Sequence, residues 1–264
     1  MLFLENFPKK QSDSPIKWPD ISDKETAIIY HTSGSTGIPK GVEISFLNLA
    51  TALDNISPIF GKPNMLWGDY HDLSFVISIN ILFMCLVNQG KIFCANNKID
   101  QFLPTKSLIE KGVNCLVTVP STLNRIEKDK NFSKIFSNLK VLISCGEPLS
   151  LELLKAFIGH KGVEIFNFYG STEVSTWVFY HKCSENDLST FSSYGYAPLG
   201  EVIPNNRYMI SEEGLLLISS DQICKAYTGK PKRYHLQQID GTDRYSTGDV
   251  VEIVADKIIC KGRI

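Results

Sequence analysis

Between residues 91 and 168 short apolar runs alternate with amphipathic stretches, and this alternation constrains the fold more than any other feature of the chain. Lys91 to Cys94, Asn114 to Val119, Lys140 to Ser144 and Val163 to Phe168 read as strands. Ser121 to Glu127 and Leu151 to Phe157 have helical spacing, the second preceded by Pro148 and Ser150 as start signals. Such alternation implies βαβ units and a largely parallel sheet, hence an α/β fold. Upstream, Thr26 to Tyr30 reads as a short buried strand and Phe46 to Ile56 as a helix. Phe75 to Val87 is apolar but contains Ser78 and Asn80; it is too short to span a bilayer and reads as a buried helix. After about Ser193 short strands are separated by turn residues such as Pro204-Asn205-Asn206 and Asp240-Gly241. The expectation is an α/β portion over residues 1–194, with an irregular leader over 1–25, followed by a small β-rich, barrel-like subdomain over 195–264.

A length of 264 residues suffices for a sizeable core without metal or disulfide staples. Lysine plus arginine number 27 and aspartate plus glutamate 28, a net charge of -1. That balance argues against a general nucleic-acid or membrane-surface binder, while leaving room for one local anion site. The cysteines number seven, an odd count, with no Cys-x-x-Cys pair. Free thiols in a reducing cytoplasm are therefore expected, rather than a disulfide framework or a zinc site. Met1-Leu2-Phe3-Leu4 is interrupted by Glu5 and followed by Lys9-Lys10, which is not the order of a secretory signal. His160, His181 and His235 read as surface residues.

The segment richest in chemistry is Tyr30-His31-Thr32-Ser33-Gly34-Ser35-Thr36-Gly37-Ile38-Pro39-Lys40-Gly41-Val42, set between a strand and a helix. Gly34 and Gly37 allow a sharp turn and close approach to a ligand. Thr32, Ser33, Ser35 and Thr36 place hydroxyls beside exposed N–H groups, and Lys40 adds a positive charge. A loop of this composition suits a polyphosphate. It is neither a Walker loop nor a G-x-G-x-x-G turn.

Residues 30–42 resemble the phosphate loop of the adenylate-forming superfamily, which includes acyl-CoA synthetases, luciferases, peptide-synthetase adenylation domains and D-alanine–carrier-protein ligases. Further matches follow in that family's order: Asn167-Phe168-Tyr169-Gly170-Ser171-Thr172-Glu173, then Tyr245-Ser246-Thr247-Gly248-Asp249, then Gly262-Arg263 at the start of its hinge. The resemblance implies that the loop holds the β- and γ-phosphates of ATP and that Glu173 binds Mg2+ through oxygen. It implies Tyr169 and Gly146 bordering adenine, Glu147, Gly170 and Ser171 among the nucleotide-binding residues, and Thr172 near the α-phosphate. Asp249, with Arg263, is implied at the ribose, where charge-assisted bonds contribute roughly 1.5–3 kcal/mol each. Lys40, Thr172 and Glu173 are the implied catalytic residues.

Two segments bear on the substrate. Tyr70-His71-Asp72-Leu73-Ser74 resembles the aromatic-Asp-x-Ser segment of amino-acid-activating members, which implies Asp72, beside His71, at the substrate ammonium; the alternative is a helix cap by Asp72 or Ser74. Cys145 stands where most members have a second glycine, as in the D-alanine ligases, and implies a pocket narrowed for a small amino acid; the alternative is a small buried hydrophobe.

The family pattern also breaks. The loop begins at residue 30, where the family places a long region before it, and the chain stops at Ile264, before the mobile carboxy-terminal subdomain with its lysine. Phe46 occupies a position where the family often has histidine. The expected reaction is ATP-dependent activation of a carboxylate, an amino acid foremost, as acyl-AMP, followed by transfer to a phosphopantetheine thiol of a carrier protein. The chain is expected to work with separate polypeptides that supply the missing parts, or to be a piece of a larger enzyme. Alternatives are an aryl- or acyl-CoA ligase core and a non-catalytic nucleotide-binding module.

Overall fold

The computed structural model describes residues 20–32, 39–60, 63–230 and 236–264. Its strands are β1 Thr26–Thr32, β2 Lys40–Ser45, β3 Leu66–Asp69, β4 Lys91–Cys94, β5 Cys115–Thr118, β6 Val141–Cys145, β7 Glu164–Tyr169, β8 Phe179–Lys182 and β9 Glu201–Val202. They continue with β10 Arg207–Ile210, β11 Leu215–Ser219, β12 Ala226–Tyr227, β13 Leu236–Ile239, β14 Thr242–Val254 and β15 Lys257–Arg263. The α-helices are α1 Phe46–Phe60, α2 Val76–Val87, α3 Lys98–Phe102, α4 Thr105–Lys111, α5 Pro120–Glu127, α6 Leu151–Phe157 and α7 Asp187–Thr190.

The main sheet has seven strands in the order β4-β3-β5-β6-β7-β8-β9. The pairs from β4 to β7 are parallel, and β8 and β9 add antiparallel. Its strands alternate between two cores. Val117, Ile143 and Phe168 pack with Ile77 and Ile81 of α2 on one face. Leu116, Leu142 and Ile165 pack with Leu123 of α5 and Phe157 of α6 on the other. A sheet covered on both faces is the usual setting for parallel strands. Residues of α2 are apolar nearly all round, and Ile81 and Met84 are almost fully buried, as a helix between layers requires.

Local signals explain where helices start. Ser150 Oγ accepts from the Leu153 N–H at 3.2 Å and caps α6. Ahead of α1, Ser45 Oγ accepts from the Asn48 N–H at 3.1 Å, while Asn48 Oδ1 accepts from the Ser45 N–H at 3.0 Å, a reciprocal cap. Gly112, with a φ of 70°, closes α4 in the left-handed conformation that glycine tolerates.

After residue 205 the chain is β-rich and, among the described residues, carries no helix. Strands β10-β11-β14-β13 form an antiparallel sheet, with β15 paired to β14. This sheet occupies the place expected for the β-rich subdomain. A third sheet, β1-β2-β12, pairs the strands nearest the start of the described chain with Ala226–Tyr227. Two expectations need correction here. Thr26 to Tyr30 is not a buried strand: only Tyr30 of β1 is buried, because β1 is the edge of the three-stranded sheet and packs on one side. His181 is not at the surface: it is buried on β8 and bonded to Asp187 at 2.9 Å. The leader's first nineteen residues, residues 33–38 of the loop, and His235 lie outside the described residues.

Candidate functional site

Parallel strands aim their carboxyl ends at one edge, where ligands of open α/β sheets bind. Here those ends deliver Asp69 on β3, Cys145 on β6 and Tyr169 on β7. A cleft of about 850 Å³ lies beyond them. Thr32 and Lys40 stand on one wall, as directly paired residues of β1 and β2, so both ends of the predicted phosphate loop meet at the cleft. The loop's Ser33, Gly34, Ser35, Thr36 and Gly37 lie outside the described residues. Gly170, Ser171, Thr172 and Glu173 form the facing wall, in the turn that leaves β7.

Glu173 and Lys40 are tied by a residue that the sequence reading missed. Tyr227 on β12 pairs beside Val42 of β2. Its hydroxyl donates to Glu173 Oε1 at 3.0 Å, and the Lys40 ammonium sits 5.8 Å from its ring centroid. Burial and the Glu173 charge push the Tyr227 hydroxyl above its ordinary range, so it remains a donor. Among the described residues Glu173 has no other side-chain hydrogen-bond partner, and its cleft also holds Thr172. One carboxylate together with phosphate oxygens is a usual way to hold Mg2+, and the residues present fit that ion. Tyr227→Phe is expected to weaken Mg-ATP binding about fivefold, the loss of one bond to a partly exposed charge, and to leave AMP binding unchanged. Calorimetric titration of both nucleotides checks it.

The Glu173 turn is held under backbone strain. Ser175 and Thr176, both buried, have φ of 54° and 118°. Positive φ at a β-branched residue is rare and concentrates at functional sites. Gln222, fully buried, fastens the turn: its amide donates to the carbonyls of Val174 and Trp177, while its oxygen accepts from Asn55 and Asn206. Every polar valence of that amide is used, which is what makes a buried network rigid rather than costly. Thr176 and Trp177 face the cleft, and the Thr176 hydroxyl has no partner among the described residues.

A second hollow of about 480 Å³ adjoins the cleft; Gly146, Gly170 and Arg263 line both. Tyr169 and Asp249 face this hollow, and the Tyr169 hydroxyl donates to Asp249 Oδ2 at 2.5 Å. Burial and the Asp249 charge push the Tyr169 hydroxyl well above its usual range. Arg263, the cross-strand partner of Asp249, brings its Nε to 3.8 Å from Oδ1. Gly146 adopts a φ of 78° between the hollows. Glu147 also reaches the smaller hollow, but its carboxylate holds the Ser121 N–H and hydroxyl at 2.8 and 2.9 Å, at the start of α5.

The substrate candidates are arranged differently. The structure does not bring Asp72 to the cleft wall: it is exposed, and its Oδ1 accepts from the Ser74 N–H and hydroxyl at 3.0 and 2.8 Å. These bonds hold its carboxyl below the usual carboxylate range. The buried carboxylate of the segment is Asp69, unnoticed in the sequence, which accepts from Ser78 Oγ and lies 3.3 Å from His71 Nδ1. His71 Nε2 is buried without a partner among the described residues. Cys145 is fully buried behind the wall, in contact with Trp177, and burial pushes its thiol up to about 12.

An α/β core with a nucleotide-sized cleft at the carboxyl ends of its parallel strands, closed by an antiparallel sheet, defines the class. The family model described as AMP-binding enzyme matches residues 3–228. The chain belongs to the AMP-binding enzyme family. It is 28% identical to a D-alanine–D-alanyl carrier protein ligase of Bacillus velezensis, over 92% of this chain and 51% of that protein. It is 27% identical to malpibaldin synthetase of Mortierella alpina, over 95% of this chain and 5% of that protein. Among solved structures it resembles the Vibrio cholerae adenylation domain AlmE in complex with glycyl-adenosine-5'-phosphate, with a TM-score of 0.82 and 24% identity, covering 94% of this chain and 49% of that one. The chain spans about half the length of the carrier-protein ligases it matches.

Proposed function

We propose that this chain is the nucleotide- and carboxylate-binding core of an adenylate-forming ligase that activates an amino acid with ATP and passes it to a carrier-protein thiol. The observation that carries this reading is the joining of the two hollows. Thr32, Lys40 and Glu173 gather around one, Tyr169 and Asp249 around the next, and Gly146, Gly170 and Arg263 form their common wall. One ATP molecule has the length and the charge distribution to span both. Family membership and the carrier-protein ligases among the relatives support the reaction class.

In this reading the ribose hydroxyls bond the Asp249 carboxylate, which Tyr169 holds in place. The triphosphate runs toward Thr32 and Lys40. Glu173, together with phosphate oxygens, would hold Mg2+, and the ion would supply neutralisation of phosphate charge. The substrate carboxylate attacks the α-phosphorus; the bond from α-phosphorus to the bridging oxygen breaks, and pyrophosphate takes the electron pair. The chain's own residues orient the reactants and balance charge, and no protein group need form a covalent bond. Cytoplasmic location is proposed from the seven free thiols. No helix among the described residues is long and apolar enough to cross a membrane.

Amino-acid-dependent ATP–pyrophosphate exchange tests the reading, run over D- and L-amino acids with and without polypeptides that supply a carboxy-terminal subdomain. Exchange with a small amino acid is expected; none under any condition overturns the enzyme reading. The outward position of Asp72 favours one second reading, an aryl or fatty acid substrate joined to coenzyme A. Asp72→Ala decides between them: an ammonium partner predicts a KM for the amino acid raised about tenfold or more, and a capping role predicts no change.

A further inference from the structure

We propose that His181, Cys183 and Asp187 form a binding site for zinc, or for a divalent metal with the same ligand preference, apart from the nucleotide cleft. His181 lies on β8 and Cys183 follows two residues later, so both side chains leave the same side of the extended chain. Asp187 opens α7, and its carboxylate is fixed by the Ser184 N–H at 2.7 Å. One ligand atom from each of the three lies within 4.8 Å of the others, and His181 Nε2 is 2.9 Å from Asp187 Oδ2. Antiparallel pairing sets His181 against Asn167, and the Cys183 N–H bonds the Ile165 carbonyl, at the end of β7 opposite Tyr169. Two to four residues of strand, roughly 7–13 Å, thus separate the cluster from the nucleotide end of β7.

Sulfur, imidazole nitrogen and carboxylate oxygen are the donor set that zinc takes. Zinc–ligand bonds of about 2.0–2.3 Å put tetrahedral neighbours roughly 3.3–3.8 Å apart. The 2.9 Å between His181 Nε2 and Asp187 Oδ2 lies just below that range and the 4.8 Å limit on the cluster above it, so binding requires the His181–Asp187 bond to open by about half an ångström and the side chains to rotate. Asp187 and His181 are 5% and 8% exposed, yet both border a hollow of about 660 Å³, through which an ion could reach them. A carboxylate buried to this degree needs a charge partner or full hydrogen bonding. On binding, the thiol proton leaves to solvent, the sulfur–metal bond forms, and neutral His181 coordinates through the nitrogen that faces Asp187, its proton on the other. The sequence concealed the set because Cys-x-x-Cys spacing is absent and His181 read as a surface residue.

The test uses the full chain. Zinc content is measured after desalting, zinc affinity by competition with a chromophoric chelator, and cobalt(II) binding by absorption. Expected are one zinc per chain and a thiolate-to-cobalt charge-transfer band. Cys183→Ser should abolish the band and weaken zinc on the order of 100-fold, and Asp187→Asn should keep the band and weaken zinc about tenfold. A wild-type chain without zinc at micromolar free metal, or one lacking the band, overturns the proposal. So does equal zinc affinity in wild type and Cys183→Ser. Circular dichroism reports whether each variant folds; the wild-type metal content and cobalt spectrum decide the matter where one does not.

Discussion

Gly170→Ala is expected to cost at least about 3 kcal/mol of stability and to abolish nucleotide binding with it. A Cβ at Gly170 would overlap the carbonyl oxygen of Thr176 and come within 2.7 Å of the Trp177 Cα. Those atoms are backbone, and no rotamer change relieves the clash. They belong to a turn that closes on itself: the Thr176 N–H bonds the Ser171 carbonyl at 3.2 Å, and the Val178 N–H bonds the Tyr169 carbonyl at 2.9 Å. The same turn already holds Ser175 and Thr176 at positive φ. Moving Thr176 outward pulls on Gln222, whose four bonds then lose their geometry. The change therefore reaches the core, not only the cleft. Chemical denaturation of the purified variant measures the loss. A variant as stable as the wild type would show that the approach of the two backbone segments is not tight in solution.

Glu173→Gln is expected to weaken Mg-ATP roughly 10- to 100-fold, the value of one charge-assisted contact, while AMP binding changes little. The substitution keeps the shape of the side chain and an oxygen that accepts from Tyr227, so the turn should stay folded. What disappears is the negative charge that a magnesium ion needs. Lys40→Ala should act in the same direction, because Lys40 faces the cleft where β1 and β2 meet, on the side of the predicted phosphate loop. Rates of acyl-AMP formation should fall further than affinity, since charge stabilisation matters most as pyrophosphate departs. Parallel titrations with Mg-ATP and AMP read the difference. Equal losses for both nucleotides would place Glu173 in the architecture of the cleft and not at the metal.

Much of this arrangement was legible in the residue order. Lys91 to Cys94 and Leu151 to Phe157 match β4 and α6 residue for residue, because each pairs a clear hydrophobic period with a clear boundary. The apolar run ending at Val87 is α2 within one residue. Elements whose identity depends on distant partners were harder to see. β2 has only a short alternation, Val42 and Ile44 buried around Glu43, set directly between the glycine-rich loop and α1, and β1 and β12 bond both its edges. β8 enters the parallel sheet in the opposite direction and β9, antiparallel to β8, turns back again, a topological fact with no local marker.

The site shows the same division. Thr32, Lys40, Gly170 and Glu173 stand in recognisable motifs, and the fold brings them to one cleft. Tyr227 and Gln222 stand in none, and each matters through a contact made across the chain. Asp69 and Asp72 are three residues apart, and only burial separates them: the first is 3% exposed and bonded to Ser78, the second is turned outward. Composition cannot distinguish two such carboxylates.

A crystal structure of the full chain with Mg-ATP tests the central claim most directly. The account predicts one nucleotide spanning both hollows, its ribose hydroxyls on Asp249, its triphosphate reaching Thr32 and Lys40, and the metal on Glu173. A nucleotide bound elsewhere, or one that leaves Asp249 and Glu173 both without contact, would contradict it.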